Sequence, residues 1–273
     1  MSFRVIVLGD IVGQQGRAIV HDKLPELVRA HNAQLVIANG ENIAGGSGIT
    51  NNLFSKLRSY GVDVVTLGDH AFKKGDISST LIQSDRLLRP ANLSRLAPGK
   101  GICVVPAKDG TLVAVITLLG RIYMSHLPGD DPFACVDKLI KELPAAVKCV
   151  IVEIHAEATS EKVAMGHYLD GRASLVFGTH THIPTADAKI LSQQTAYITD
   201  LGMCGPYDSV LGRRKDNVIR AMTTNFPHPF DVATGDVRLC GVVVEINPQT
   251  GRATFIERLE AAGVVKLTND KDE

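Results

Sequence analysis

The sequence lacks a net charge, a long apolar run and any CxxC pair, and each absence narrows the classes of protein that it can encode. Its 29 basic residues are balanced by 29 acidic ones, so no basic surface is indicated for a nucleic-acid backbone, although a small nucleotide or an RNA end is not excluded. The first apolar run, Val5–Leu8, is too short for a signal-peptide core, and no run is long enough to span a membrane. We therefore expect a cytoplasmic protein with no membrane partner.

The five cysteines are odd in number and scattered along the chain. This distribution is typical of buried thiols in a reducing compartment and excludes an evident disulfide framework. Hydrophobic residues make up 45% of the chain and charged residues 21%, which is ordinary for a globular protein. At 273 residues, such a chain can bury a sizeable core as one large domain or two small ones.

Short apolar runs alternate with amphipathic stretches in the first half of the chain, a pattern that predicts an α/β fold built from βαβ units. The predicted strands are Phe3–Gly9, Leu35–Ala38, Val62–Leu67, Gly101–Pro106, Leu112–Leu119, Cys149–Ile154, Leu175–Gly178, Ala196–Thr199, Leu239–Ile246 and Ala253–Glu257. The predicted helices are Arg17–Ala30, Asn51–Tyr60, Gly75–Gln83, Pro132–Leu143, Glu161–Leu169 and Asn217–Met222. No linker marks a boundary, so we predict a single domain over residues 1–267, with two packed mixed sheets and outer helices, followed by a charged, frayed tail over residues 268–273.

Side chains of the types that bind metals stand at or just after the ends of five of the predicted strands. They are Asp10 after the first strand, Glu41 and Asn42 after the second, Asp69 and His70 after the third, His155 after Cys149–Ile154, and His180 and His182 after Leu175–Gly178. Any one of them alone is more often a turn or structural residue. In open α/β sheets, however, the carboxyl ends of parallel strands converge on one crevice. We therefore expect these side chains to form one site.

The pair His180 and His182 is the most specific single signal. In an extended chain, residues two apart project to the same face, so both imidazoles could reach adjacent metals. The neighbouring ligands Glu41 and Asn42 cannot point the same way in a regular strand, and Gly40 beside them indicates that the backbone turns there.

The combined set of acids, amide and imidazoles provides mixed oxygen and nitrogen ligation that suits iron, manganese or zinc. It exceeds the needs of one ion, and an acid such as Glu41 could bridge two ions roughly 3.5–4 Å apart. Two such ions lower the pKa of a bound water and hold a phosphoryl group for in-line attack, so no protein nucleophile is required. His70 is then a general acid on the leaving oxygen, a stabiliser of transition-state charge, or a structural residue beside the site. The residues predict a two-metal phosphoesterase.

Seven segments, in order along the chain, carry motifs that are highly specific in combination. They are Gly9–Gly13, Glu41–Gly46, Leu67–His70, His155–Lys162, Gly178–Asp187, Thr199–Met203 and Gly205–Ser209. Together these motifs resemble the YmdB-like branch of the calcineurin-type metallophosphoesterases, over roughly residues 3–260. The resemblance implies a four-layer αββα sandwich, a di-iron or di-manganese centre, and hydrolysis of 2′,3′-cyclic nucleotides in a bacterial cytoplasm. It also implies a regulatory contribution to behaviour such as biofilm formation.

The resemblance further implies a division of the ligands between two ions. Asp10, Glu41, Asn42 and His182 would bind one ion, and Glu41, Asp69, His155 and His180 the other, with Glu41 bridging and His70 as the catalytic histidine. One residue departs from the pattern, because the family's third motif reads Gly-Asn-His and Asp69 stands at the middle position here. The added negative charge is expected to improve metal retention and to weaken both Lewis acidity and the attraction for a phosphodiester.

Three other interpretations stay open at the level of sequence. A dinucleotide-binding protein would use Gly9, Gly13 and Gly16, but their spacing is not GxGxxG and the late histidines would have no role. A (β/α)₈ amidohydrolase would suit the ligand types, but the sequence also predicts hairpin turns near residues 110 and 249, and these disrupt the strand–helix alternation of such a barrel. A catalytically weakened regulator that binds metal and nucleotide is supported by Asp69. A homo-oligomer is compatible with the sequence, although no residue pattern indicates one.

Overall fold

The computed structural model describes residues 2–263. The predicted frayed tail, residues 268–273, lies outside the described residues. Within that range the strands are β1 (Phe3–Leu8), β2 (Asp10–Ile11), β3 (Leu35–Asn39), β4 (Val64–Thr66), β5 (Leu87–Leu88), β6 (Ile102–Pro106), β7 (Leu112–Leu119), β8 (Cys149–His155), β9 (Leu175–Thr179), β10 (Lys189–Ile190), β11 (Ala196–Ile198), β12 (Met203–Pro206), β13 (Val237–Ile246) and β14 (Ala253–Ala262). The helices are α1 (Gly13–Ala30), α2 (Asn51–Ser59), α3 (Ile77–Gln83), α4 (Pro132–Lys141), α5 (Thr159–Tyr168) and α6 (Lys215–Thr224).

The strands form two mixed sheets. The first has the order β2-β12-β13-β1-β3-β4-β5, with β14 also paired to β13. In it β1, β3, β4 and β5 are parallel, whereas β13 is antiparallel to β1. The second has the order β10-β11-β9-β8-β7-β6, and β7, β8, β9 and β11 are parallel. Parallel strands therefore lie at the centre of the second sheet and on one side of the first.

Three apolar clusters show how the layers are stacked. In the first cluster, Ile19 of α1 and Leu53 of α2 pack with Ile6 of β1. The middle cluster joins the two sheets directly, since it contains Val5 of β1 as well as Ile151 of β8. A third cluster packs α4 and α5 against the outer face of the second sheet. The order of the layers is helix, sheet, sheet, helix, which confirms the predicted αββα sandwich.

The elements differ from the prediction at their ends. Helix α1 begins at Gly13, four residues before Arg17, because its first turn is polar and carries no apolar periodicity. Strand β14 continues to Ala262, beyond Glu257, because it pairs with β13 along its whole length while exposing most of its side chains. Strands β2, β5, β10 and β12 have two to four residues and were not predicted, since such lengths show no periodicity.

Residues 2–263 include no helix that combines the length and the apolar character needed to cross a bilayer.

Candidate metal centre

The first sheet delivers acids and an amide to one edge. Asp10, two residues after the end of β1, is the first residue of β2 and pairs in parallel with Met203 of β12. Glu41 and Asn42 follow β3, and Asp69 follows β4. All four side chains are buried, as the convergence of parallel strand ends predicts.

The second sheet delivers imidazoles to the same edge. His155 is the last residue of β8 and is fully buried, and His180 follows β9. The prediction that His180 and His182 lie in an extended chain is wrong, because their φ angles are 95° and 63°. The turn between them separates the two rings, so that each reaches a different group of acids.

One group of donor atoms gathers around His155. Its Nε2 lies 3.0 Å from Asp69 Oδ1, 3.2 Å from Glu41 Oε1 and 3.1 Å from His180 Nδ1. Donor atoms of these four residues all lie within 4.8 Å of one another. The outer nitrogen of His180, Nε2, lies 3.2 Å from the half-exposed carboxylate of Glu157. His180 therefore turns its Nδ1 towards the group.

A second group lies beside the first and shares Glu41 with it. Asn42 Nδ2 is 3.1 Å from His182 Nε2, 3.2 Å from Glu41 Oε1 and 3.5 Å from Asp10 Oδ1. His182 Nε2 is 3.8 Å from Asp10 Oδ1, and its Nδ1 donates to the Leu211 carbonyl oxygen at 3.0 Å. That backbone contact leaves Nε2 to face the acids.

His70 borders both groups without joining either. Its Nδ1 is 2.7 Å from Asn42 Oδ1 and 3.6 Å from Glu41 Oε1. Its Nε2 lies 3.9 Å from Asp69 Oδ2, and a quarter of the side chain remains exposed. Burial lowers the pKa of His70 despite the neighbouring acids. The structure thus brings all eight predicted residues together, with His70 beside both groups and partly exposed to solvent.

Burial and the charge of neighbouring residues shift the pKa values of the cluster in opposite directions. Burial lowers the pKa of His155, but the carboxylates of Glu41 and Asp69 outweigh it and hold that pKa well above its usual value. Burial in turn raises the pKa of Glu41, yet the charge and hydrogen bond of His155 leave it below its usual value. At Asp10, burial outweighs the attraction of His155 and raises the pKa to about 7. A cation beside Asp10 would therefore stabilise its carboxylate form.

These donors fit transition-metal ions. Two imidazole nitrogens that face each other at 3.1 Å, with a carboxylate oxygen 3.0 Å from one of them, converge on a single point. Mixed imidazole and carboxylate sets are typical sites for iron, manganese and zinc. Glu41 contributes a carboxylate oxygen to both groups.

Sequence reasoning missed a layer of polar residues beneath the ligands. Glu153 Oε1 accepts hydrogen bonds from Asn39 Nδ2 at 2.8 Å and from Thr179 Oγ1 at 2.7 Å. All three side chains are buried. The available signal was an acid two residues before His155 in an otherwise apolar strand, which places both on one face.

A buried ion pair behind the His180–His182 turn was also missed. Lys162 Nζ lies 2.7 Å from Asp200 Oδ2, with each side chain 1% exposed. The same oxygen accepts from the Thr181 hydroxyl at 2.7 Å and from the Thr181 amide at 3.2 Å. Asp200 therefore holds the middle of the turn that carries two histidines.

The chain is similar to known proteins over most of its length. The sequence matches the family described as YmdB-like protein over residues 6–259. It is 45% identical, over 94% of this chain and 96% of the relative, to a Bacillus subtilis (strain 168) protein named 2′,3′-cyclic-nucleotide 2′-phosphodiesterase.

Two solved structures have the same architecture over nearly their whole length. A hypothetical protein from Thermus thermophilus is 40% identical with a TM-score of 0.88, covering 95% of this chain and 99% of that one. A structure described as a novel phosphatase from Mycoplasma pneumoniae is 33% identical with a TM-score of 0.90, covering 96% of this chain and 94% of that one. The names of the Bacillus and Mycoplasma relatives confirm the predicted enzyme class, a phosphoesterase. The chain therefore belongs to the YmdB-like protein family.

Proposed function

We propose that the protein is a two-metal phosphodiesterase that hydrolyses 2′,3′-cyclic nucleotides. The observation that carries the proposal is the pair of adjacent donor groups that share Glu41. The name of the Bacillus relative supports the substrate class. The cyclic phosphate at an RNA end has the same chemistry and is included in that class. Because both sheets supply ligands, we also propose that they act as one domain.

The residues divide between two ions as the resemblance implied. One ion would be held by Asp10, Glu41, Asn42 and His182, and the other by Glu41, Asp69, His155 and His180. Iron or manganese suits this set best, and zinc is the third option. When bound, the ions supply Lewis-acid activation of a water molecule and of the phosphoryl oxygens.

The orientation of the Asn42 side-chain amide determines which ring nitrogen of His70 carries the proton. As the amide is oriented, its Oδ1 faces His70 Nδ1 at 2.7 Å and its Nδ2 faces Asp10 and His182. An amide that turns its oxygen towards the acids and a cation places Nδ2 against His70 instead. Nδ2 then donates to His70 Nδ1, and the ring carries its proton on Nε2. In that state the neutral ring can donate a hydrogen bond from Nε2 to the negative charge that develops on the leaving oxygen.

A metal-binding regulator without turnover is the second candidate, and the position of Asp69 favours it. Its carboxylate lies within 3.0–3.9 Å of nitrogens from His155, His180 and His70. A negative charge at that position opposes the binding of an anionic phosphodiester.

Hydrolysis of 2′,3′-cyclic AMP, measured with added manganese and after chelation, tests the proposal. We expect turnover with manganese that is lost with the chelator. His70→Ala should lower kcat about 10²- to 10³-fold at unchanged metal content, whereas His126→Ala, an exposed histidine, serves as the matched control. Folded, metal-loaded protein that binds the nucleotide without turnover would overturn the proposal in favour of the regulator.

A further inference from the structure

The apolar layer between the two sheets ends in polar residues just below the metal ligands. On β3, Leu35 and Ile37 belong to the inter-sheet core, and Asn39 is the next residue on that face. On β8, Ile151 belongs to the same core, and Glu153 follows on the same face. On β9 the corresponding residue is Thr179, which follows Phe177. Three strands from two sheets thus place one polar side chain each at the same level.

Glu153 connects this layer to the first sheet through Asn39. Asn39 Nδ2 donates to Glu153 Oε1 at 2.8 Å, which leaves Asn39 Oδ1 as an acceptor. That oxygen accepts from the backbone N–H of Glu41 at 3.0 Å. The loop that carries the shared acid is therefore tied to a residue of the other sheet.

Glu153 connects the layer to His155 through Thr179. The Thr179 hydroxyl donates its only proton to Glu153 Oε1 at 2.7 Å. Its oxygen, 2.9 Å from His155 Nδ1, must then accept from that ring nitrogen. His155 consequently carries a proton on Nδ1, and its Nε2 faces Glu41 and Asp69. This is the ring orientation that a histidine needs to bind a metal through Nε2.

A carboxylate in this position is costly for the fold. Glu153 is fully buried, and its Oε2 has no hydrogen-bond partner among the residues that the structure describes. A buried carboxylate with one unpaired oxygen destabilises the folded state, and an apolar residue would suit the inter-sheet core better. Through Asn39 and Thr179, Glu153 is connected by hydrogen bonds to the candidate ligands Glu41 and His155. A role in positioning these ligands explains why a destabilising carboxylate is present there.

The geometry points to Glu153 as a positioning residue that orients Glu41 and His155 for metal binding, acting through Asn39 and Thr179. This inference rests on the proposed metal site and deepens it. Glu153 itself contacts neither substrate nor ion; it fixes the direction of one imidazole and one loop across the sheet interface.

The hydroxyl of Thr179 offers a matched pair of variants. Thr179→Val keeps the shape and removes the link between Glu153 and His155, whereas Thr179→Ser keeps the hydroxyl. Manganese(II) is titrated calorimetrically into the chelator-treated full chain of each variant and of the wild type. We expect Thr179→Val to weaken manganese binding about 10- to 100-fold and Thr179→Ser to bind like the wild type. The visible spectrum of cobalt(II)-loaded protein should change in the valine variant alone.

Glu153→Gln gives a second, independent test, because it keeps an acceptor oxygen for Asn39 and Thr179 but removes the charge. Its manganese affinity should fall between those of the serine and valine variants. The melting temperature of each metal-free protein, followed by circular dichroism, separates a structural effect from a positioning one.

Equal manganese affinity in Thr179→Val and Thr179→Ser would overturn the inference, even if the valine variant melts at a lower temperature. That outcome would leave the proposed function intact. A wild type that binds no manganese would overturn the proposed function itself, so the two failures are distinguishable.

Discussion

Asp69 contacts imidazoles on three sides of its carboxylate. Oδ1 lies 3.0 Å from His155 Nε2 and 3.5 Å from His180 Nδ1, while Oδ2 lies 3.9 Å from His70 Nε2. Burial raises the pKa of Asp69, but the hydrogen bonds of His155 and His180 outweigh it and leave the pKa below its usual value. With Asp10 and Glu41 also ionised, three negative charges would face the four positive charges of the two proposed divalent ions.

We predict that Asp69→Asn raises turnover. The amide keeps an oxygen for binding but removes one negative charge, which increases the attraction for an anionic substrate. A gain of about 1 kcal/mol in transition-state binding corresponds to roughly a fivefold increase in kcat/KM. Turnover of 2′,3′-cyclic AMP and metal content are measured on the same samples. Unchanged or lower turnover at intact metal content would contradict the prediction.

Gly68 is required because the ring of His155 lies against its backbone. A Cβ at residue 68 would lie 2.2 Å from His155 Cδ2 and 2.3 Å from Nε2. Gly68→Ala should therefore displace the imidazole, reduce metal binding and destabilise the fold by about 1–3 kcal/mol. Gly75→Ala is the control, since nothing lies within 4 Å of a Cβ there. Metal titration and urea unfolding of both variants check this, and equal behaviour of the two would refute it.

At the scale of elements, the Lys162–Asp200 pair joins α5 to the segment between β11 and β12. Lys162 lies on α5, and Asp200 follows β11. Asp200 Oδ1 also accepts from the Gly202 amide at 2.8 Å. Removing one partner of such a buried pair leaves an uncompensated charge in the interior.

Lys162→Met should lower the free energy of unfolding of the metal-free protein by about 3–5 kcal/mol. The control is Lys138→Met, which removes an exposed pair between Lys138 of α4 and Glu142 just after that helix, and should cost less than about 1 kcal/mol. Urea denaturation measures both. If the double variant Lys162→Met/Asp200→Asn recovers part of the lost free energy of unfolding, the unpaired charge of Asp200 is the cause of the loss. A small effect of Lys162→Met alone would contradict the prediction.

The proximity of the candidate ligands was predictable from the sequence because each follows an apolar run whose role as a strand was clear. Asp10, Glu41 and His155 stand at strand ends, where the α/β rule brings groups together. The position of Glu153 between the two sheets could not be predicted, because an acid within a strand gives the same sequence pattern whether it faces a helix or another sheet. The left-handed turn through His180 and His182 was not predicted either, since it depends on contacts with Asp200, which is distant in sequence.

At the scale of the whole molecule, the candidate centre lies across the junction of the two sheets. The first sheet supplies Asp10 and Glu41, and the second supplies His155. An ion bound by both would resist their separation. Metal binding is thus coupled to global stability, because the unfolded chain offers no preformed site.

We predict that manganese raises the melting temperature and that a chelator reverses the rise. At an ion concentration about 100 times Kd, the gain is about 2.7 kcal/mol, or roughly 5–10 °C for a protein of this size. His155→Ala should reduce the shift, because it removes a ligand of one of the two proposed ions, whereas the exposed His126→Ala should retain it in full. Differential scanning calorimetry measures the effect, and an undiminished shift in His155→Ala would place the bound ions elsewhere.

The pairing of β1 with β13 has a consequence for how the enzyme is made. Phe3 pairs with Ile246, so the strand that leads to Asp10 gains one of its two neighbours from a segment synthesised long after it. A nascent chain that lacks β13 therefore holds its acids on an incomplete sheet. We expect metal to be acquired after translation, so that the identity of the ion follows the supply in the cell at the moment of maturation.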